Sequence, residues 1–470
     1  MTAEALLLGA ATEQARSLRA GEVSALELTL AALGRIARMN PRLNAFVEVH
    51  ERRARWAAGA CDREIARARR RGRVDELPPF CGVPTAVKDL NFIRGARTRF
   101  GSRSFPRLWS PVDDRTVAQL RRGGFVLLGK LATSEFGALP VTEPDIHPPT
   151  RNPWLPDYSA GGSSGGSGAA VASGMLAVAQ GSDGAGSIRI PAAFCGLYGL
   201  KPSRGRVANA YGLPDRTILY TCGPLARCVD DAAAMLDVMA GVRVGKPHWL
   251  PRSVRSYADA AREAPRGLRI KLATETPLST PVHPEWRAAA EAAARVLADA
   301  GHHVEPAVMS AGSLDEFIPL YQHMLASVPG AKMSVLQPAT RWLVEHGRHV
   351  SVDRARRIFG ELSHRVHAWV GDADVVITPT VPGPPPRVGA WSRLDGEAAF
   401  RAAADYGAFT AVFNLSGQPA ASVPVGRSAD GFPVGVQVVG RETRDDWVLA
   451  LSRQLERAFP WGPRVAPELT

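Results

Sequence analysis

Two hydrophobic patterns alternate along this chain. The first is an apolar stripe at helical spacing. Leu26, Leu30, Leu33 and Ala37 recur at three- and four-residue intervals, which puts them on one face of a helix. Ser24 and Glu27 stand just ahead at capping-box spacing, and Pro41 is expected just beyond the helix end. A second helix is expected over Glu48–Arg71, so residues 1–75 read as a helical segment closed by the proline-bearing break Leu77–Phe80. The second pattern is the short, continuous apolar run of strand length. Phe125–Leu128, Leu268–Leu272, Val375–Thr378 and Val434–Val439 read as buried strands. Between them, Asp230–Met239, Pro284–Ala300 and Trp447–Ala458 read as helices. From about residue 80 the two kinds of element alternate, which predicts an α/β fold with helices covering a sheet. Residues 76–470 are expected to form one structural unit after the helical segment 1–75. Pro382–Pro386 marks a turn and Gly241–Pro251 a surface connection.

Composition narrows the class. Of 470 residues, 45% are hydrophobic and 22% charged, the balance of a globular protein with a large core. No apolar run approaches the ~20 residues that cross a bilayer. The apolar stretch Ala5–Ala11 has no basic residue before it and follows Glu4, so a helix start is expected there rather than a secretory signal. The five cysteines, Cys61, Cys81, Cys195, Cys222 and Cys228, form no CxxC pair. A disulfide framework is therefore not expected, and a reducing cytoplasm fits.

The net charge is +12, from 57 Lys and Arg against 45 Asp and Glu. A basic balance can mark a nucleic-acid binder, but here the arginines are spread along helix faces. The densest group, Arg67–Arg73, reads as solvated surface. Lysine is scarce: Lys88, Lys130, Lys201, Lys246, Lys271 and Lys332 are all of it. A lysine kept amid so much arginine is expected to serve chemistry, because a buried lysine can lose its proton and arginine cannot.

Two glycine-rich stretches carry the chemical signal, Gly161–Gly168 (GGSSGGSG) and Gly181–Ala192 (GSDGAGSIRIPA). Such backbone can bring N–H groups close to a ligand. Three readings compete. Phosphate binding lacks a GxxxxGK[ST] motif: the nearest match, Gly124–Lys130, runs through a strand and is followed by Leu131. A nucleophile elbow fits GxSxG at Ser163 or Ser164 but wants a histidine base, and the histidines from His248 to His367 sit in polar surroundings. A serine–lysine arrangement needs a lysine held neutral by burial. Lys88, at the end of the apolar run in Cys81–Leu90, is the natural base, with an ion pair to Asp89 as the competing structural role.

At these residues the chain resembles the amidase-signature family. The segments GVPTAVKDL, GKLATSEFG, GGSSGGSGAAVASG, GSDGAGSIRIPAAFCGLYGLKPSRGRV and GPLARCVDDAAAMLDVMAG follow in the family's order, with FNLSGQPAASVPVG and GFPVGVQVVG near the end. The resemblance runs from about residue 20 to 460. It implies a central mixed β-sheet covered by α-helices on both faces, and an amidase with Lys88, Ser163 and Ser187 as catalytic residues. Ser187 would be the nucleophile and Ser163 the bridge. Backbone amides of Gly184, Ala185, Gly186 and Ser187 would form the oxyanion hole, braced by Asp183 and Arg189. It implies an acyl-enzyme intermediate, a small-molecule amide as substrate, no metal or organic cofactor, and no nucleic-acid or membrane partner. A homodimer is compatible with it.

Some positions depart from the family's pattern. Gly184 and Ala185 stand where Thr and Gly are common, and Leu131–Ala132 where Thr-Asn is common. The second change is expected to remove polar groups near the pocket. Cys195 and Cys81 read as packing residues, and residues 275–410 are expected to shape the pocket. The branch most resembled is that of cyclic-amide and carboxybiuret hydrolases. A glutamine-amidohydrolase subunit of a tRNA-dependent amidotransferase and a catalytically decayed binding protein are the alternatives.

Overall fold

The computed structural model describes residues 2–208, 219–241, 250–251, 253–263, 265–278, 280–459 and 465–468. Most of the expected connection Gly241–Pro251 lies outside them. Among the described residues the strands are β1 (Phe46–Val49), β2 (Pro84–Lys88), β3 (Val126–Leu131), β4 (Val178–Asp183), β5 (Tyr198–Lys201), β6 (Thr221–Ala226), β7 (Arg269–Leu272), β8 (His303–Pro306), β9 (Val375–Pro379), β10 (Ala420–Arg427) and β11 (Pro433–Gly440).

Eight strands form one mixed sheet in the order β4-β6-β5-β10-β11-β9-β7-β8. Pairs are antiparallel from β4 to β9, and parallel where β7 joins β9 and β8. Strand alternation sorts what each face meets. In β11, Val436 and Val438 enter the core with Val448 and Leu449 of the helix Asp445–Ala458. Gln437, one step over, points the other way, toward Arg189 in the helix Arg189–Cys195. The four apolar runs expected as strands are β3, β7, β9 and β11, and the three expected helices are Val229–Met239, Pro284–Asp299 and Asp445–Ala458.

A second sheet, β1-β3-β2, was not anticipated. Its edge strand β2 runs beside the edge strand β4 of the large sheet, and side chains bridge the seam. Thr85 Oγ1 donates to the Val178 carbonyl at 2.8 Å, and the Lys88 amide donates to Gln180 Oε1 at 2.9 Å. Both strand edges are thereby partnered. The seam matters because it sets the end of β2, with Lys88, against the end of β4.

The N-terminal segment corrects two expectations. Its capping box forms, with Ser24 and Glu27 bonding reciprocally. Pro41, however, lies inside the helix Ala25–Leu43 rather than beyond it. In the last turn a proline removes only one amide bond, and the chain leaves the helix three residues later at Asn44 (φ 53°). The second helix starts at Glu51, not Glu48, because Phe46–Val49 pairs with β3 as β1. Residues 1–75 are thus not wholly helical. Leu6, Leu28 and Ile36 from this segment share one buried core with Val126, Val438 and Leu455.

Candidate active site

Lys88 is the last residue of β2 and is fully buried. Its Nζ lies 2.7 Å from Ser163 Oγ, 3.0 Å from Ser182 Oγ and 3.3 Å from the Ser182 carbonyl. These three partners are all neutral. The ion pair with Asp89 does not form: Asp89, one residue beyond β2, instead pairs with buried Lys130 at 3.0 Å. Burial pulls the Lys88 pKa from its ordinary 10.5 down to about 7, against the opposing influence of the Asp183 charge and Cys222. Near neutral pH a neutral amine is therefore accessible. It can direct its two N–H bonds at Ser182 and its lone pair at the Ser163 hydroxyl.

Burial alone does not single out Lys88. Lys201 is also buried, with its pKa brought to about 7 by desolvation and the neighbouring Arg189. Its Nζ donates to the Pro202 carbonyl at 3.1 Å and meets no serine hydroxyl among the described residues. Geometry, not basicity, distinguishes the two.

Ser163 sits just before the helix Gly165–Ala172, and the Gly162–Ser163 peptide is cis. That helix is packed too tightly for side chains at its start. A Cβ on Gly166 would fall 2.3 Å from the Ala132 amide nitrogen and 2.6 Å from the Ala45 carbonyl oxygen. Here the glycines permit close backbone approach. The helix is thereby seated against the segment after β3, and Ser163 is held beneath Lys88.

The loop after β4 carries Ser187, which is half-buried. Ser163 and Ser187 face the same cavity, and the Ser164 amide donates to the Ser187 carbonyl at 3.1 Å. Asp183 organises this loop from inside. Its carboxylate accepts from the Gly186 amide at 2.7 Å, the Ile188 amide at 3.2 Å, and Arg189 Nε and Nη2 at 3.0 and 2.9 Å. Arg189 beside it holds the Asp183 pKa far below the usual carboxylate range, although burial opposes this. Both side chains are fully buried.

The expected set of four oxyanion donors needs one correction. The Gly186 N–H is committed to Asp183. The amides of Gly184, Ala185 and Ser187 donate to no group among the described residues. Ala185 keeps a negative φ, so an alanine costs nothing there. Gly186 has φ +126°, and a Cβ there would fall 2.2 Å from Thr410 Oγ1. Gly186→Ala is expected to displace the loop and lower kcat by about 10²–10³-fold, the effect of losing one oxyanion donor. Steady-state kinetics with an unchanged fold by circular dichroism checks it.

Sequence reasoning missed several supporting residues. Ser182 is the second hydroxyl on Lys88. Asn414 donates to the Asp183 carbonyl and carboxylate, both at 3.0 Å, and accepts from Arg189. Gln437 accepts from Arg189 Nη1 at 2.7 Å and donates to the Phe409 carbonyl. The signal was present: Gln437 is a lone amide in an apolar strand, a place where a polar group must find a partner. Leu131 and Ala132 are fully buried and line neither cavity beside Ser187. Residues 275–410 do line the larger cavity, through Pro277, Phe317 and Phe400 among others. Cys195 is fully buried with its pKa raised by desolvation, and donates to the Ala160 carbonyl.

Residues 27–449 match the family model described as Amidase. The 6-aminohexanoate-cyclic-dimer hydrolase of Paenarthrobacter ureafaciens is 36% identical over 489 residues, spanning 97% of this chain and 95% of that protein. An acylamidase of Rhodococcus erythropolis is 33% identical over 483 residues, spanning 99% and 98%. The solved structure of a 6-aminohexanoate cyclic dimer hydrolase matches with a TM-score of 0.89 at 33% identity, over 99% of each chain. These likenesses define an enzyme that hydrolyses carbon–nitrogen amide bonds. The chain belongs to the amidase family. Among the described residues no helix is long and apolar enough to cross a membrane.

Proposed function

We propose that this amidase cleaves small-molecule amides by forming an acyl-enzyme on Ser187, with Ser163 relaying protons between Ser187 and Lys88. The observation that carries the reading is the 2.7 Å contact between a buried lysine and Ser163 Oγ. Neutral Lys88 takes the Ser163 proton as Ser163 takes that of Ser187. The Ser187 oxygen attacks the amide carbon, and the amides of Gly184, Ala185 and Ser187 receive the developing oxyanion, at about 3 kcal/mol per donor. The Lys88 proton returns through Ser163 to the leaving nitrogen, and the C–N bond breaks. Water then attacks the ester by the same relay run again, releasing the carboxylic acid and restoring Ser187.

Likeness to a cyclic-dimer hydrolase and an acylamidase supports a neutral small-molecule amide as substrate. Five cysteines without a disulfide support residence in a reducing cytoplasm.

The test is fluorophosphonate labelling read by intact mass and peptide mapping. One adduct on the peptide bearing Ser187, lost in Ser187→Ala, is expected. An adduct on another serine would move the nucleophile and end this reading. Activity has a second signature. Because the neutral form of Lys88 is the base, kcat/KM is expected to rise with pH through a midpoint near 7. Below that midpoint the lone pair is protonated and the relay stops. A profile flat between about pH 5 and 9 would remove Lys88 as the titrating base.

A further inference from the structure

Two cavities meet at Ser187, and they differ in what else lines them. Counted out to their open mouths, the larger is about 770 Å³ and extends from Ser187 and Ala185 to the helices Leu314–Ala326 and Gly396–Ala404. The smaller, of about 510 Å³, contains Ser163, Ser182 and Gly184. Ser163 faces only the smaller one. Tyr321 stands between them and lines both, with its hydroxyl committed to the Ala138 carbonyl at 3.0 Å.

We propose that the larger cavity binds the acyl group, that the smaller one receives the leaving amine, and that the acyl cavity selects uncharged apolar acyl groups. This rests on the Ser187–Ser163 reading above. At the tetrahedral stage the carbon carries four substituents. One is Ser187 Oγ, and a second is the oxyanion, directed at the loop amides. The third, the leaving nitrogen, must receive its proton from Ser163, so it lies on the side of the smaller cavity. The fourth, the side chain of the acyl group, is left with the larger cavity.

The lining of that cavity sets its preference. Leu139, Ile190, Leu314, Phe317, Phe400 and Val412 dominate it, and among the described residues no Lys, Arg, His, Asp or Glu lines it. Desolvating an ionised group there is costly without a partner, whereas each methylene buried gains about fourfold in binding. A substrate with an ammonium and a carboxylate on its acyl side, as in free glutamine, would place both in this lining. The class selected is instead a neutral amide with an aliphatic or aromatic acyl group.

The test uses two substrate series on the whole enzyme. In the first, the amine is ammonia and the acyl group is acetyl, hexanoyl, or hexanoyl with a terminal carboxylate. Hexanamide is expected to exceed acetamide in kcat/KM by roughly 10²-fold, about fourfold for each added methylene. The carboxylate-bearing amide should fall well below hexanamide. In the second series the acyl group is acetyl and the amine grows from ammonia to butylamine.

Two variants then assign the cavities. Ala404→Trp obstructs the larger cavity and should reduce the hexanamide-to-acetamide ratio at least tenfold, while the ratios in the amine series hold within about threefold. Met324→Trp, in the smaller cavity, should do the reverse. Ala404→Leu and Met324→Leu serve if the tryptophan variants do not fold. Swapped effects would overturn the orientation, and a preference for the carboxylate-bearing amide would overturn the apolar selection. Ser187 labelling of the wild type separates the two levels. Without an adduct at Ser187 the nucleophile reading itself falls, whereas an intact adduct with unmoved ratios overturns only this proposal.

Discussion

Replacing Lys88 with arginine is expected to lower kcat by about 10²–10⁴-fold, the contribution of a positioned general base, although the formal charge is kept. Two features of the site produce this. Arginine stays protonated at every accessible pH, so it offers no lone pair to the Ser163 hydroxyl. The lysine Nζ is also enclosed, with Ser163 Oγ, Ser182 Oγ and the Ser182 carbonyl within 3.3 Å. A guanidinium in that space would displace Ser163 or open the seam between β2 and β4. Lys88→Met tests the base without the bulk and should be similarly inactive. The measurement is steady-state turnover of one amide by both variants, beside their thermal melting points. Turnover near the wild-type level in folded Lys88→Met would show that Ser163 is activated by some other group.

How much of this was legible beforehand depended on whether the decisive contact was local or distant. Continuous apolar runs and helical stripes were readable because burial leaves its mark on the local sequence. Val434–Val439 and Pro284–Ala300 emerged within a residue or two of their observed bounds. Strand β1 was not readable. It has four residues between two helices, and only its pairing with β3, about eighty positions away, makes it a strand. The roles of Lys88 and Asp89 were likewise undecided. Two adjacent ionisable residues at a strand end admit either direction, and only the positions of Lys130 and Ser163 decide which side chain faces which partner. Residues around Ser187 could be named from the resemblance, yet the commitment of the Gly186 amide to Asp183 could not. It depends on a loop conformation with φ +126° at Gly186 that only glycine readily adopts.

Asp183→Asn is expected to impair both stability and rate, and the two losses have different origins. Asp183 and Arg189 are fully buried against one another, 2.9 Å apart at closest approach. Removing the negative charge leaves a buried guanidinium with only neutral amide oxygens, those of Gln437, Asn414 and the new asparagine. Breaking such a pair costs about 3–5 kcal/mol, to be read as a lower urea midpoint at unchanged m-value. The rate loss follows from the loop. An asparagine keeps one acceptor oxygen and substitutes an NH₂ for the other, which must then face Arg189 Nε with Ile188 N–H, or Arg189 Nη2 with Gly186 N–H. Either orientation sets donors against donors and releases the backbone that presents Ser187, for a fall in kcat of about 10²–10³-fold. A third readout separates a site effect from general unfolding. The Asp183 charge raises the Lys88 pKa against the pull of burial. Neutralising it should therefore move the acid limb of the residual kcat/KM profile to a pH lower than near 7, so the variant loses less of its activity on mild acidification. A midpoint that stays in place, in a variant otherwise folded, would mean that Asp183 acts on the loop alone and not on the base.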